Sequence, residues 1–116
     1  MTNNFANELV NILKEYTDEV EDGLEKEKDK VTREGVKKLK VISPKKTGAY
    51  AKSWGRRKIG TARIIRNAKH YQLTHLLEKG HAKVGGGRVE GRPHIRPVEQ
   101  EIVKNYEKGV ERVIKG

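Results

Sequence analysis

The stretch HLLEKGHAKVGGGRVEGRPHIRP, residues 75–97, gathers the residues best suited to chemistry. It holds five glycines, the histidines His75, His81 and His94, five Lys/Arg and two acids, Glu78 and Glu90. Glycine-rich loops that cradle phosphate need G-x-x-x-x-G-K-[ST]. Gly80 and Gly85 have that spacing, but Gly86 and Gly87 stand where the lysine and hydroxyl belong. A dinucleotide fingerprint G-x-G-x-x-G starting at Gly85 and Gly87 fails at Glu90, and a helical pattern precedes it where a strand is required. The histidines, with His70, make a poor metal set: there is no cysteine, and His70 and His75 are five apart, which misses one helix face. They are expected as surface or interface histidines. Ser43 and Ser53 have no evident partner base, so no catalytic residues are assigned and no cofactor is expected.

Charge is the stronger signal. Of the 26 Lys/Arg and 16 Asp/Glu, residues 1–42 hold 8 and 10, residues 43–97 hold 14 and 2, and residues 98–116 hold 4 and 4. The middle segment is therefore net +12, flanked by segments of −2 and zero. Such a concentration favours a polyanion or an acidic protein face, or else serves solubility. Arg56, Arg57 and Lys58 on one side, with Lys83, Arg88, Arg92 and Arg96 on the other, are the candidates for contacting a partner or DNA. Interleaved aromatic platforms, a helix-turn-helix and RRM signatures are all missing, so DNA contact here means phosphate neutralisation without sequence readout.

These residues sit on elements that periodicity outlines. Residues 4–41 carry Phe5, Leu9, Ile12, Leu13, Tyr16, Val20, Leu24, Val31 and Leu39 at mostly helical spacing. Asp22–Lys26, Asp29–Arg33 and Glu34–Lys38 are opposite charges four apart. A kink or short break is expected near Gly23, followed by a second helix ending before Pro44. Ser43–Gly48 reads as a turn, after which Tyr50, Lys52 and Trp54 share one face of a strand. Ile59-Gly60-Thr61 is a turn and Ala62–Arg66 a second strand. His70–Lys79 is a short helix closed by Gly80, with Leu76 facing the core. Residues 82–92 form a mobile basic loop. Pro97 opens a final helix striped by Val98, Ile102, Tyr106 and Val110. The expectation is a single α+β domain over residues 1–116. Within it, residues 1–42 form a helical lead-in, 43–80 a hairpin and short helix, 81–96 the loop, and 97–115 the last helix. Apolar residues are only 34% of the chain and charged residues 36%, a lean core that favours completion by partners. MTNNFANEL lacks a signal-peptide layout and no apolar run approaches membrane-spanning length, so an intracellular, membrane-independent protein is expected.

Three segments carry a resemblance. Ser43-Pro44-Lys45-Lys46-Thr47-Gly48 with Tyr50-Ala51-Lys52-Ser53-Trp54 resembles the "P-x-x-T-G-x-[LY]-x-x-S" opening of the phage HK-ninety-seven gene-ten-product family of tailed-phage structural proteins. Tyr71–His81 is similar to that family's tyrosine-to-"E-x-G" stretch. Pro93-His94-Ile95-Arg96-Pro97-Val98 is similar to its "P-[FH]-[LI]-x-P-A" segment, with Val98 where alanine is commoner. The match runs in order from Ser43 onward, and residues 1–42 correspond only as an amphipathic helix. The resemblance implies a non-enzymatic head–tail joining or tail-completion protein, found in the virion and in the bacterial host cytoplasm during assembly. It implies helices around a small antiparallel sheet, with no catalytic residues or cofactors. The implied partners are connector and tail-tube proteins of the phage or prophage neck, and further copies of itself in a ring, expected to be hexameric. Non-specific contact with passing DNA is also implied. A small basic nucleic-acid-binding module is the alternative.

Overall fold

The computed structural model describes residues 3–45 and 48–116. It is an α+β arrangement of helices on a small antiparallel sheet. Helix α1, Asn3–Ile42, is one uninterrupted helix of 40 residues, so the break expected near Gly23 is not there. The reason lies on helix α4, Ile95–Lys115, which runs antiparallel along the second half of α1. A Cβ at Gly23 would lie 2.7 Å from the Val113 methyl, and one at Gly35 would collide with Ile102. Gly109 of α4 faces Glu27 in the same way. These glycines are where the two helices approach closely, and packing outweighs the roughly 1 kcal/mol each costs in propensity. Of the three expected ion pairs within α1, Arg33–Asp29 forms at 3.4 Å. Lys38 instead pairs across to Glu101 of α4.

After α1 the chain turns. Lys46 and Thr47 of the expected turn lie outside the described residues. Gly48 takes φ 82°, and Ala49–Lys52 form a single helical turn, α2, not the start of a strand. Tyr50 and Trp54 are four apart, so one face serves either period, and a helical turn satisfies it here. Strand β1, Trp54–Ile59, then pairs antiparallel with β2, Ala62–Asn67, in the register Trp54↔Asn67 to Ile59↔Ala62. A 3₁₀ turn at Tyr71–Leu73 leads into α3, Thr74–Lys79.

Much of the loop expected over residues 81–96 folds, with Gly80, into a second hairpin. Strand β3, Gly80–Ala82, pairs with β4, Arg88–Glu90. Gly86 and Gly87 supply the positive φ of its tip, 98° and 82°. At its base Gly80 and Gly91 are pressed together; a Cβ on Gly91 would lie 2.6 Å from the Gly80 nitrogen. α4 starts at Ile95, two residues ahead of Pro97.

The core is small. Among the described residues the buried hydrophobics are Val31, Leu39, Tyr50, Ala51, Trp54 and Val98. Val36, Ile65, Leu77, Ile95 and Ile102 pack around the cluster of Leu39, Tyr50, Trp54 and Val98. Leu76 and Val110, expected as core anchors, are half-buried.

Candidate functional site

Three stretches distant in sequence converge on one histidine. His94, expected at the surface, is fully buried at 0% exposure and sits against Tyr50 and Trp54. The three rings pack edge to face, with centroids 5.7 Å apart for Tyr50–Trp54 and 5.6 Å for Tyr50–His94. His94 Nδ1 lies 2.7 Å from the Arg92 carbonyl oxygen, which can only accept, so Nδ1 carries a proton. In the neutral ring Nε2 then accepts the Tyr50 hydroxyl proton, at 2.8 Å. Burial, and secondly the Glu78 charge, push the Tyr50 hydroxyl up to about 12. Trp54 Nε1–H donates to Ser43 Oγ at 2.8 Å, and Ser43 donates on to the Leu39 carbonyl at the end of α1. Asn67 Nδ2 donates to the Tyr50 carbonyl at 2.8 Å, and its Oδ1 accepts from His70 N–H, so the end of β2 is tied to α2.

Glu78 is the second centre. From α3 its carboxylate accepts the backbone N–H groups of His94 at 2.7 Å, Ile95 at 2.8 Å and Arg96 at 3.0 Å. The next residue, Pro97, has no N–H to satisfy. The donors left over at the start of α4 are thus closed by one side chain from another helix and one proline. Burial raises the Glu78 carboxyl, but the three N–H donors and His94, whose Nδ1 is 3.1 Å away, outweigh it and hold it below the usual carboxylate range. This carboxylate is committed to structure. The Ser43 hydroxyl is likewise committed, and no nucleophile–base pair forms between them.

The basic candidates fall in three places. Arg56 of β1 donates to the Asp29 carboxylate and carbonyl on α1, and Arg63 of β2 pairs with Glu25 at 3.1 Å. The Arg56 hydrogen bond draws Asp29 below its ordinary value. The Lys28 hydrogen bond, helped by Arg63 and Lys58, does the same for Glu25. These cations clamp the hairpin to α1. Arg57, on the opposite face of β1 and across from Ile64, is exposed and makes no ion pair among the described residues. Lys83 stands at the tip of the β3–β4 hairpin, and Arg88 in β4 reaches back to the Lys79 carbonyl. Arg92 and Arg96 flank the start of α4 with exposed side chains, Arg96 at the mouth of a cleft between α3 and α4 of about 600 Å³. The two hairpins belong to separate two-stranded sheets. Among the described residues no cluster of three or more His, Asp or Glu is placed to hold a metal, and no helix is long and apolar enough to cross a membrane.

Sequence reasoning missed Glu78, Asn67 and His94 as organisers. The one signal that could have found them is that a buried Tyr and Trp each need a polar partner, but four histidines leave no ground for choosing. No protein-family model, curated protein or solved structure matches this chain.

Proposed function

We propose that this chain is a non-enzymatic structural subunit of a tailed phage or prophage, a head–tail joining protein that assembles as a ring between connector and tail tube. The observation that carries the reading is the convergence of its three family-like segments. Ser43, Tyr50 and Trp54 from the first, Glu78 from the second, and His94 from the third meet in one cluster of hydrogen bonds and ring contacts. Residue types set by such a cluster explain why three short segments resemble a family when the rest of the chain does not. The small core and the basic hairpins are in keeping with a subunit whose interfaces complete its burial. Exposed cations such as Arg57 and Lys83 then meet an acidic neighbouring ring or passing DNA.

Arg57, exposed and without an ion pair among the described residues, also favours the second reading, a phosphate-binding nucleic-acid module. Fluorescence anisotropy with duplex DNA across a salt series separates the two. A joining protein binds in the micromolar range or weaker, whereas nanomolar binding with a steep salt slope by the monomer overturns the assembly reading. The genes beside this one are expected to encode portal, capsid and tail-tube proteins, and a neighbourhood lacking all three also overturns it.

A further inference from the structure

The first half of α1 is an arm that no other described residue covers. Residues 4–19 are all exposed, and α4 packs closely on α1 at Gly23. Phe5, Leu9, Ile12, Leu13 and Tyr16 fall within one face at i, i+4, i+7, i+8 and i+11. Phe5 is 74% exposed and Ile12 61%. Together they present an apolar patch on the order of several hundred Å², the size that marks an interaction surface. An isolated helix of this length is marginal in water, so the arm gains by having its face covered.

We propose that the arm of one copy docks in the groove between the β1–β2 hairpin and α4 of a second copy. That groove, about 550 Å³, is open and mainly apolar, floored by Val31, Ala62, Ile102, Val103 and Tyr106. Charge selects the pairing. Residues 1–22 carry one lysine and six acids, net −5, while residues 54–67 carry five cations and no acid; Arg56 and Arg63 are paired with Asp29 and Glu25 of α1, which leaves Arg57, Lys58 and Arg66 to attract the arm. Two arms laid together would instead oppose two charges of −5. A net charge of that sign is likewise unsuited to an anionic membrane surface, which recruits basic amphipathic helices. The arm cannot reach its own groove: the stripe centres near residue 11 and the groove meets α1 near Val31, so a continuous helix holds them about 30 Å apart, at ~1.5 Å per residue. The contact therefore joins two different surfaces on successive copies, the head-to-tail kind that closes into a ring or extends as a filament. It deepens the ring reading by naming the surfaces involved.

Complementation between two full-length variants tests this, read by sedimentation velocity and native mass spectrometry from 1 µM to about 1 mM. Leu9→Asp with Leu13→Asp spoils the arm, and Val103→Asp spoils the groove. Both sites are exposed, and an unchanged melting temperature verifies folding. The unaltered chain is expected to form concentration-dependent oligomers that weaken with salt. Each variant alone should self-associate at least about 100-fold more weakly. Mixed one to one, they should form a heterodimer and nothing larger, because only one intact arm meets one intact groove. Oligomers that persist in the arm variant overturn the arm contact while leaving a ring built by other surfaces in place. A groove variant that associates as well as the unaltered chain points to arm–arm pairing and also overturns it, as does an unaltered chain that stays monomeric throughout. The phage reading stands or falls separately, on the gene neighbourhood and the DNA titration.

Discussion

The most informative residue is His94, because its burial forces every neighbour to be specific. Its Nδ1–H is used by the Arg92 carbonyl, which leaves Nε2 as an acceptor that the Tyr50 hydroxyl fills. Tyr50→Phe removes that donor without changing shape and strands a buried acceptor, so it should cost about 1–3 kcal/mol in chemical denaturation. A variant as stable as the parent would show that another donor, such as water, replaces the hydroxyl. Glu78 gives a pH-dependent counterpart. Its folded-state carboxyl titrates below the ordinary 4.5, so between the two values the unfolded chain binds the extra proton. The stability it supplies is fully present above pH ~4.5 and is lost as pH falls through the lowered folded value. Thermal melts of Glu78→Gln should therefore lie below the parent at neutral pH and converge with it on acidification. A constant gap at all pH values would mean that the charge of Glu78 contributes nothing. Neither residue was legible in its role from the sequence. A carboxylate that caps a helix sixteen residues downstream has no local signature, unlike a Ser or Asp at the cap position itself.

At the scale of elements, the final helix, the helical course of the first forty residues and the Gly60-Thr61 turn of the β1–β2 hairpin were legible, whereas the period-two reading that started the first strand at Ala49 falls on a helical turn. The errors fell where a local rule had two outcomes. Gly23 read as a break because glycine weakens an isolated helix, yet here it marks, with Gly35, the seam with α4. A pair of alanine substitutions isolates the cause, since each removes the same helix-propensity penalty of about 1 kcal/mol. At Gly35 the new methyl meets Ile102 and Ile65, two packed side chains, and overpacking of about 1–3 kcal/mol should leave Gly35→Ala net destabilised. At Gly109 it meets only the Glu27 side chain, which can swing aside, so Gly109→Ala should be neutral or slightly stabilising. Equal melting temperatures for the two variants would sink the close-packing account. The β3–β4 hairpin was misread as a loop because three glycines in a row signal freedom, whereas two of them are spent on turn geometry. Its cations remain exposed, so Arg88→Glu with Arg92→Glu should leave the melt unchanged and impair association with an acidic partner ring or with DNA. A collapsed melt for that double variant would make the hairpin's charges structural.

The whole molecule is a rod with a small body at one end. Its extents are 84 × 22 × 21 Å and its radius of gyration is 21.0 Å, where a compact domain of this length has about 13 Å. Composition, at 34% apolar residues, pointed to a lean core, while the break expected near Gly23 pointed away from a rod. What composition could not give was the direction, that the acidic apolar end projects away from a basic body, because that depends on α1 being continuous. Hydrogen exchange reads the consequence along a single helix. In dilute monomer the amides of residues 5–20 have only their own helix to protect them and should exchange within seconds to minutes. Those of residues 24–42, clamped by α4, β1 and β2, should exchange at least about 100-fold more slowly, since their opening requires unfolding of the body. Raising the concentration or supplying the partner ring should slow the first group towards the second, because covering the apolar stripe adds the free energy that the free arm lacks. Uniform protection along α1 at the lowest concentration would mean that the arm is already held within the single chain, and that the rod is not the state from which assembly starts.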